Sequence, residues 1–381
     1  MLNIQSKLPG VSTTIFTVMS KLAAEYNAIN LSQGFPDYPT DPKLIELVNK
    51  AMKSGFNQYA PMAGLPALKE TIAEKVAHLY QVKYNPDTEI TVTAGGTQAI
   101  FTALAAVINP GDEVIIFEPA YDSYAPTIQL LGGLVKRYEL APPDYAIDWN
   151  MVKKLFTANT RMIILNSPQN PTGSILNKSD MQALIKLTHN TDILILSDEV
   201  YEHLIYDQEQ HHSVILYPQL RERSFIIASF GKLLHTTGWK MGYCIAPERL
   251  TAEFRKVHQF NVFSVNSPMQ HAISTYLKNP DHYTGLASFF QEKRDYFSGL
   301  LAGSRFKLLP CKGSYFQCAS FAHFSDEKDT DFSMRLIRDF GVATIPVSAF
   351  YQQSTDHKII RFCFAKKQST LLAAAEKLTN V

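Results

Sequence analysis

Six short, mostly apolar runs recur through the first two thirds of this chain, and they restrict its fold more than any other feature. They read as strands at Glu89–Thr93, Glu113–Phe117, Arg161–Leu165, Ile193–Ser197, Phe225–Ser229 and Gly242–Ala246. Several, such as ILILS and FIIAS, are apolar on both faces, which suits strands covered by helices on each side. Helical patterns lie between many of them, at Thr97–Ile108, Asn177–Leu187 and Glu253–Phe260. Alternating β and α segments predict an α/β fold with a mainly parallel sheet.

The last third reads differently. A long helical pattern over 280–302 precedes strand patterns at 315–320, 343–346 and 358–364. Helices at 331–340, closed by Gly341, and at 370–379 complete a smaller α+β unit. The segment before Asp41 looks loop-rich and is assigned to that unit or to a partner subunit. The expected division is an N-terminal arm at 1–40, a large domain at 41–279 and a small C-terminal domain at 280–381. A chain of 381 residues is long enough for this arrangement.

A net charge of +1 gives no excess that would draw the chain to nucleic acid or a membrane surface. Cys244, Cys311, Cys318 and Cys363 form no CxxC pair and no zinc-like cluster, so no metal site is expected. They read as buried thiols in a reducing compartment. The first ten residues lack the apolar core of a secretory signal, and no run approaches the length of a spanning helix. The expectation is a soluble, cytoplasmic protein.

Ligands of parallel α/β sheets gather beyond the carboxyl ends of the strands. Behind the first strand lies AGGTQ and a helix start, where Gly96 and Thr97 offer free N–H groups to a phosphate. The same glycines also suit an ordinary tight turn. Tyr121 follows the second strand and matters only if a flat ring lies beside it. Asn170, in the proline-braced turn NSPQNPTG, is either structural or a fixed amide donor. Asp198 ends a fully apolar strand, where a carboxylate is unfavourable unless a cation meets it. Tyr201 lies three residues on.

Lys232 stands at the end of SFGK among glycines and apolar residues. Desolvation there, with a nearby cation such as Lys240, lowers an amine pKa and frees it for imine chemistry. Arg361, in KIIRFCF, lies within a strand pattern. Its planar fork suits a carboxylate, either from a substrate or from an Asp or Glu of this chain.

In this order NPTG, SDEVY, SFGK, GWKMGY and RFCFAK resemble the class I/II group of fold-type I pyridoxal-phosphate aminotransferases. The resemblance runs from TTIFTVMSKLAAE to IIRFCFAK. It is nearest to the branch of methionine and kynurenine (glutamine transaminase K type) aminotransferases, with NLSQGFPD, QYAPMAG and FSVNSPMQ favouring the methionine side.

The resemblance implies a large domain that binds pyridoxal 5'-phosphate, with Lys232 holding it as a Schiff base and acting as general acid and base. Asp198 would pair with the pyridine nitrogen, and Tyr201 with Asn170 would bind its phenolic oxygen. Tyr121 would stack on the ring, and Gly96, Thr97, Ser229 and Lys240 would hold the phosphate. Tyr59 would reach the phosphate of a neighbouring subunit in a homodimer. Gly34, Asn170 and Arg361 would bind the substrate carboxylate, while Phe16 and the loop around Phe263 would shape the side-chain pocket.

The expected reaction is a ping-pong transfer from an L-amino acid, methionine or aromatic, to a 2-oxo acid. A C–S β-lyase would use the same residues, and a non-catalytic cofactor-binding regulator is a more distant alternative. Lys240 stands where other subgroups carry arginine, and Leu233-Leu234 where many relatives carry a hydroxyl and an aromatic.

Overall fold

The computed structural model describes residues 4–381. A short strand β1 (Ile29–Asn30) precedes seven that make the main sheet. These are β2 (Ile90–Thr93), β3 (Glu113–Glu118), β4 (Leu134–Glu139), β5 (Thr160–Asn166), β6 (Leu194–Asp198), β7 (Ser224–Ser229) and β8 (Gly242–Ile245). Their spatial order is β2-β8-β7-β6-β5-β3-β4. The strands run parallel except β8, which is antiparallel to both neighbours. The doubly apolar runs are buried along their length, as expected of strands covered on both faces.

Helices Gly96–Val107 and Glu248–Asn261 pack on one face, where Ile100, Leu104 and Phe254 meet Ile116, Leu196 and Ile227. Helix Lys178–Thr188 starts where Asn177 and Asp180 form a reciprocal capping box, which satisfies otherwise orphan N–H groups.

The second sheet is antiparallel. It comprises β9 (Lys307–Leu308), β10 (Phe316–Ser320), β12 (Ile345–Pro346) and β13 (Ile359–Cys363), in the order β12-β13-β10-β9. The remaining strand, β11 (Val342–Ala343), pairs with β1 instead. The 343–346 pattern is therefore two strands in different sheets, separated at Thr344.

Two further expectations change, and several elements were not anticipated. The 280–302 helix is broken at Gly285 into Asp281–Thr284 and Leu286–Leu300. The arm is not simply loop: it carries helix Ile15–Glu25, whose Met19 and Ala23 bury against Ile337, Ala343 and Ile345. Strand β4 escaped the sequence reading because LVKRYE is a half-exposed edge strand with no apolar run. Helices Pro42–Lys53, Pro66–Tyr80 and Ser267–Tyr276 were also not anticipated; each has proline in its first turn, a position that needs no N–H donor.

Among the described residues no helix is long and apolar enough to cross a membrane. Nor, among those residues, is any group of His, Cys, Asp and Glu placed to hold a metal. All four cysteines are free and buried.

Candidate active site

The carboxyl ends of β2, β5, β6 and β7 converge on a cavity of about 180 Å³. Its wall includes Gly96, Thr97, Tyr121, Asn170, Asp198, Tyr201, Ser229, Lys232 and Lys240. Residues scattered from position 96 to position 240 are thus brought to one place.

Two buried ionisable groups dominate. Burial is the largest influence on Lys232, and with the Arg361 and Lys240 cations it lowers the amine to about 8, against the opposing effects of Cys363 and Asp198. Burial raises Asp198 to about 6, despite a 2.6 Å hydrogen bond from the Tyr124 hydroxyl. A carboxylate so placed gains from a positively charged ligand. Tyr201 is buried as well, which keeps its phenol protonated.

One wall of the cavity is built by the turn into helix Gly96–Val107. Gly95 adopts φ +84, a conformation that L side chains rarely take. A Cβ there would lie 3.5 Å from Lys240 Cε, so the lysine side chain lies over this turn. The Tyr121 hydroxyl and Thr97 Oγ1 are 3.0 Å apart, which ties the ring of Tyr121 to the helix start.

Asn170 is fixed from two sides. Its backbone N–H donates to Asn166 Oδ1 at 2.9 Å, and its Oδ1 accepts from Arg361 Nη1 at 2.6 Å. Because arginine only donates, the Asn170 oxygen must face it, leaving the amide NH2 for a ligand. Arg361 is 0% exposed. Its other recorded donation is from Nη2 to the Ser32 carbonyl at 2.8 Å, and Nε has no partner among the described residues. The guanidinium lies 3.9 Å from the Phe316 ring centroid and within 5.4 Å of those of Phe16 and Phe350. No Asp or Glu of the described chain forms an ion pair with it, so the internal-carboxylate alternative lacks a partner.

Gly34 and Phe16 border the site without lining this cavity. The Gly34 carbonyl accepts from Lys232 Nζ at 3.3 Å. Phe16 lines a larger adjoining cavity of about 670 Å³, which shares Tyr121 with the first.

Tyr59 and Phe263 are placed elsewhere. They meet edge to face at 5.3 Å and are 83% and 50% exposed, and neither lines the cavity around Lys232.

Two residues of the site went unread in the sequence. Tyr124, which holds Asp198, was signalled only by its nearness to Tyr121 in YDSY. Tyr315, which contacts Lys232, gave no signal, because 83 residues separate them.

The family model for aminotransferases of class I and II matches residues 26–378. The methionine aminotransferase of Escherichia coli (strain K12) is 49% identical over 378 residues, spanning 99% of this chain and 98% of that one. Kynurenine–oxoglutarate transaminase 1 of Rattus norvegicus is 31% identical over 408 residues, spanning 98% and 96%. The crystal structure of YbdL from Escherichia coli, which with its reactivity identified a methionine aminotransferase function, superposes with a TM-score of 0.98 at 48% identity and full coverage of both chains.

Proposed function

This chain belongs to the class I and II aminotransferases, enzymes that use pyridoxal phosphate to pass an amino group from an amino acid to a 2-oxo acid, and we propose that its preferred donors carry apolar side chains, methionine first and aromatic amino acids after it. The observation that carries the amino-acid reading is Arg361, a buried guanidinium with no carboxylate partner among the described residues and an Nε that meets no acceptor there. A substrate carboxylate supplies the missing anion, bound with Asn170 and Gly34.

The residues around Lys232 fit the cofactor. Asp198 is a buried carboxylate raised toward neutrality, and a protonated ring nitrogen is the cation that relieves it. Gly96, Thr97, Ser229 and Lys240 would hold the phosphate at a helix start. Tyr121 would cover the ring, with Tyr201 and the Asn170 amide on its phenolic oxygen. When bound, pyridoxal phosphate supplies an electron-accepting ring that stabilises charge at the substrate α-carbon. Lys232 would take the α-proton and then deliver a proton to a different carbon from the one that lost it, and its lowered pKa supports that transfer near neutral pH.

Phe16 and Phe350 support the apolar preference. They stand beside Arg361, where a second carboxylate would be desolvated against aromatic rings. The name of the Escherichia coli relative also supports methionine.

We further take the enzyme as a cytoplasmic homodimer in which Tyr59 and Phe263 serve the partner's site. Their exposure and mutual packing support that reading, and four unpaired thiols suit a reducing compartment. The domain division at 41–279 and 280–381, with the arm at 1–40, is supported by the separate sheets at 90–245 and 307–363.

The substrate proposal is tested by kcat/KM for L-methionine, L-phenylalanine and L-aspartate with one fixed 2-oxo acid. We expect methionine to exceed aspartate clearly, and the opposite order would overturn it.

A further inference from the structure

The free amine of Lys232 sits in a defined seat. Its Nζ donates to Tyr315 Oη at 2.8 Å and to the Gly34 carbonyl at 3.3 Å. The Tyr315 hydroxyl itself donates to the Gly34 carbonyl, so toward the amine the phenol oxygen can only accept. The seat is rigid. Tyr315 is 1% exposed, and its ring meets those of Tyr201 at 5.1 Å and Phe316 at 4.9 Å. Gly34 also has no room for a side chain, because a Cβ would lie 2.8 Å from Phe316 Cζ.

We propose that Tyr315 is a further catalytic residue, whose hydroxyl, with the Gly34 carbonyl, engages both N–H groups of neutral Lys232 and leaves its lone pair facing the cavity. This rests on the role of Lys232 given above. A neutral amine has two N–H groups and one lone pair, and the seat provides two acceptors. When Lys232 removes the substrate α-proton, the C–H bond breaks and its electron pair stays with the cofactor-bound substrate. The proton forms a third N–H on Nζ. The two acceptors continue to hold the resulting ammonium, so the proton just taken is the one directed back into the cavity. The other groups facing this amine are Asp198 at the end of β6, Tyr201 from the turn after it, Lys240 beside the phosphate turn, and Arg361 and Cys363 from β13.

The test compares wild-type protein with Tyr315→Phe, which removes one oxygen. In the cofactor-free form, trace acetylation by acetic anhydride at a series of pH values, with mass spectrometry of the Lys232 peptide, reports the titration of this amine. The wild-type midpoint should lie near pH 8. In Y315F it should move to lower pH, because an acceptor that favours the charged amine is lost while burial remains.

With cofactor restored, single-turnover deamination of L-methionine by Y315F should slow about tenfold to a hundredfold with little change in KM. Its α-deuterium isotope effect should rise. Cofactor uptake and thermal unfolding close to wild type establish that Y315F is folded. An unchanged labelling midpoint together with an unchanged single-turnover rate would overturn the proposal. Failure of the wild type to deaminate any amino acid, with the labelling shift still present, would instead strike at the assigned reaction and leave the seat standing.

Discussion

Lys232 and Asp198 are buried at some expense to the folded chain, which makes their roles accessible to stability measurements as well as kinetics. Lysine moved from 10.5 to about 8 destabilises the fold by about 3 kcal/mol below pH 8, where both states carry the proton. The penalty fades as pH rises from about 8 to 10.5. Aspartate moved from 3.8 to about 6 imposes a similar penalty above pH 6, which fades as pH falls toward 3.8. Cofactor-free Lys232→Met and Asp198→Asn should therefore melt above wild type at pH 7, although both lose function. The gain from Asp198→Asn should shrink at pH 4, and thermal scans at the two pH values check this.

Arg361→Lys keeps the charge but loses the fork and a charge-assisted hydrogen bond. It should weaken carboxylate binding about tenfold to a hundredfold, seen as a higher KM for every donor and acceptor. The chemistry of these residues was legible in the sequence because each type is out of place where it stands: a carboxylate ending an apolar strand, an arginine inside one, a lysine among glycines. Their partners were not legible, because Tyr124, Tyr315 and Ser32 are ordinary residue types whose direction only the fold determines.

At the level of elements, the end of β6 and the turn after it place Asp198 and Tyr201 on the cavity and are anchored from behind by Glu199 and Glu202. Glu199 accepts from Ser197 Oγ at 2.7 Å and is joined to His211 Nε2 at 2.9 Å. Glu202 accepts from Lys75 Nζ at 2.6 Å and from Tyr80 at 2.7 Å, linking the turn to helix Pro66–Tyr80. Burial opposes ionisation of Glu202, yet Lys75 and His203 hold its carboxyl well below the usual range. Lys75→Met strands that carboxylate and should destabilise the protein by about 3–5 kcal/mol, with much of the loss recovered when Glu202→Gln is added. Urea unfolding of the single and double variants measures the difference.

The strands carrying the site were legible because burial on both faces leaves a continuous apolar signature. Edge strand β4 leaves none. Gly285 and Thr344 interrupt patterns that read as continuous, because a change of sheet partner or a helix break is set by tertiary contacts rather than local periodicity.

For the whole molecule, the position of Tyr59 makes the proposed dimer testable by complementation. Chains carrying Lys232→Ala and chains carrying Tyr59→Ala should each be defective alone. Unfolded and refolded together, a mixed dimer joins the intact Lys232 of one chain to the Tyr59 of the other. A random mixture should recover roughly a quarter of wild-type activity if pairing is two-fold and isologous. No recovery would place Tyr59 outside the partner's site.

The central claim is that this scaffold performs amino transfer through Lys232, and one half-reaction tests it most directly. Protein loaded with pyridoxal phosphate is mixed with L-methionine, with no 2-oxo acid present, while absorbance and product are followed. The expected result is loss of the original cofactor band, a stable band of the aminated cofactor, and release of one 2-oxo acid per Lys232. Continuous release of ammonia, or a band unchanged by methionine and by every other amino acid, would contradict it.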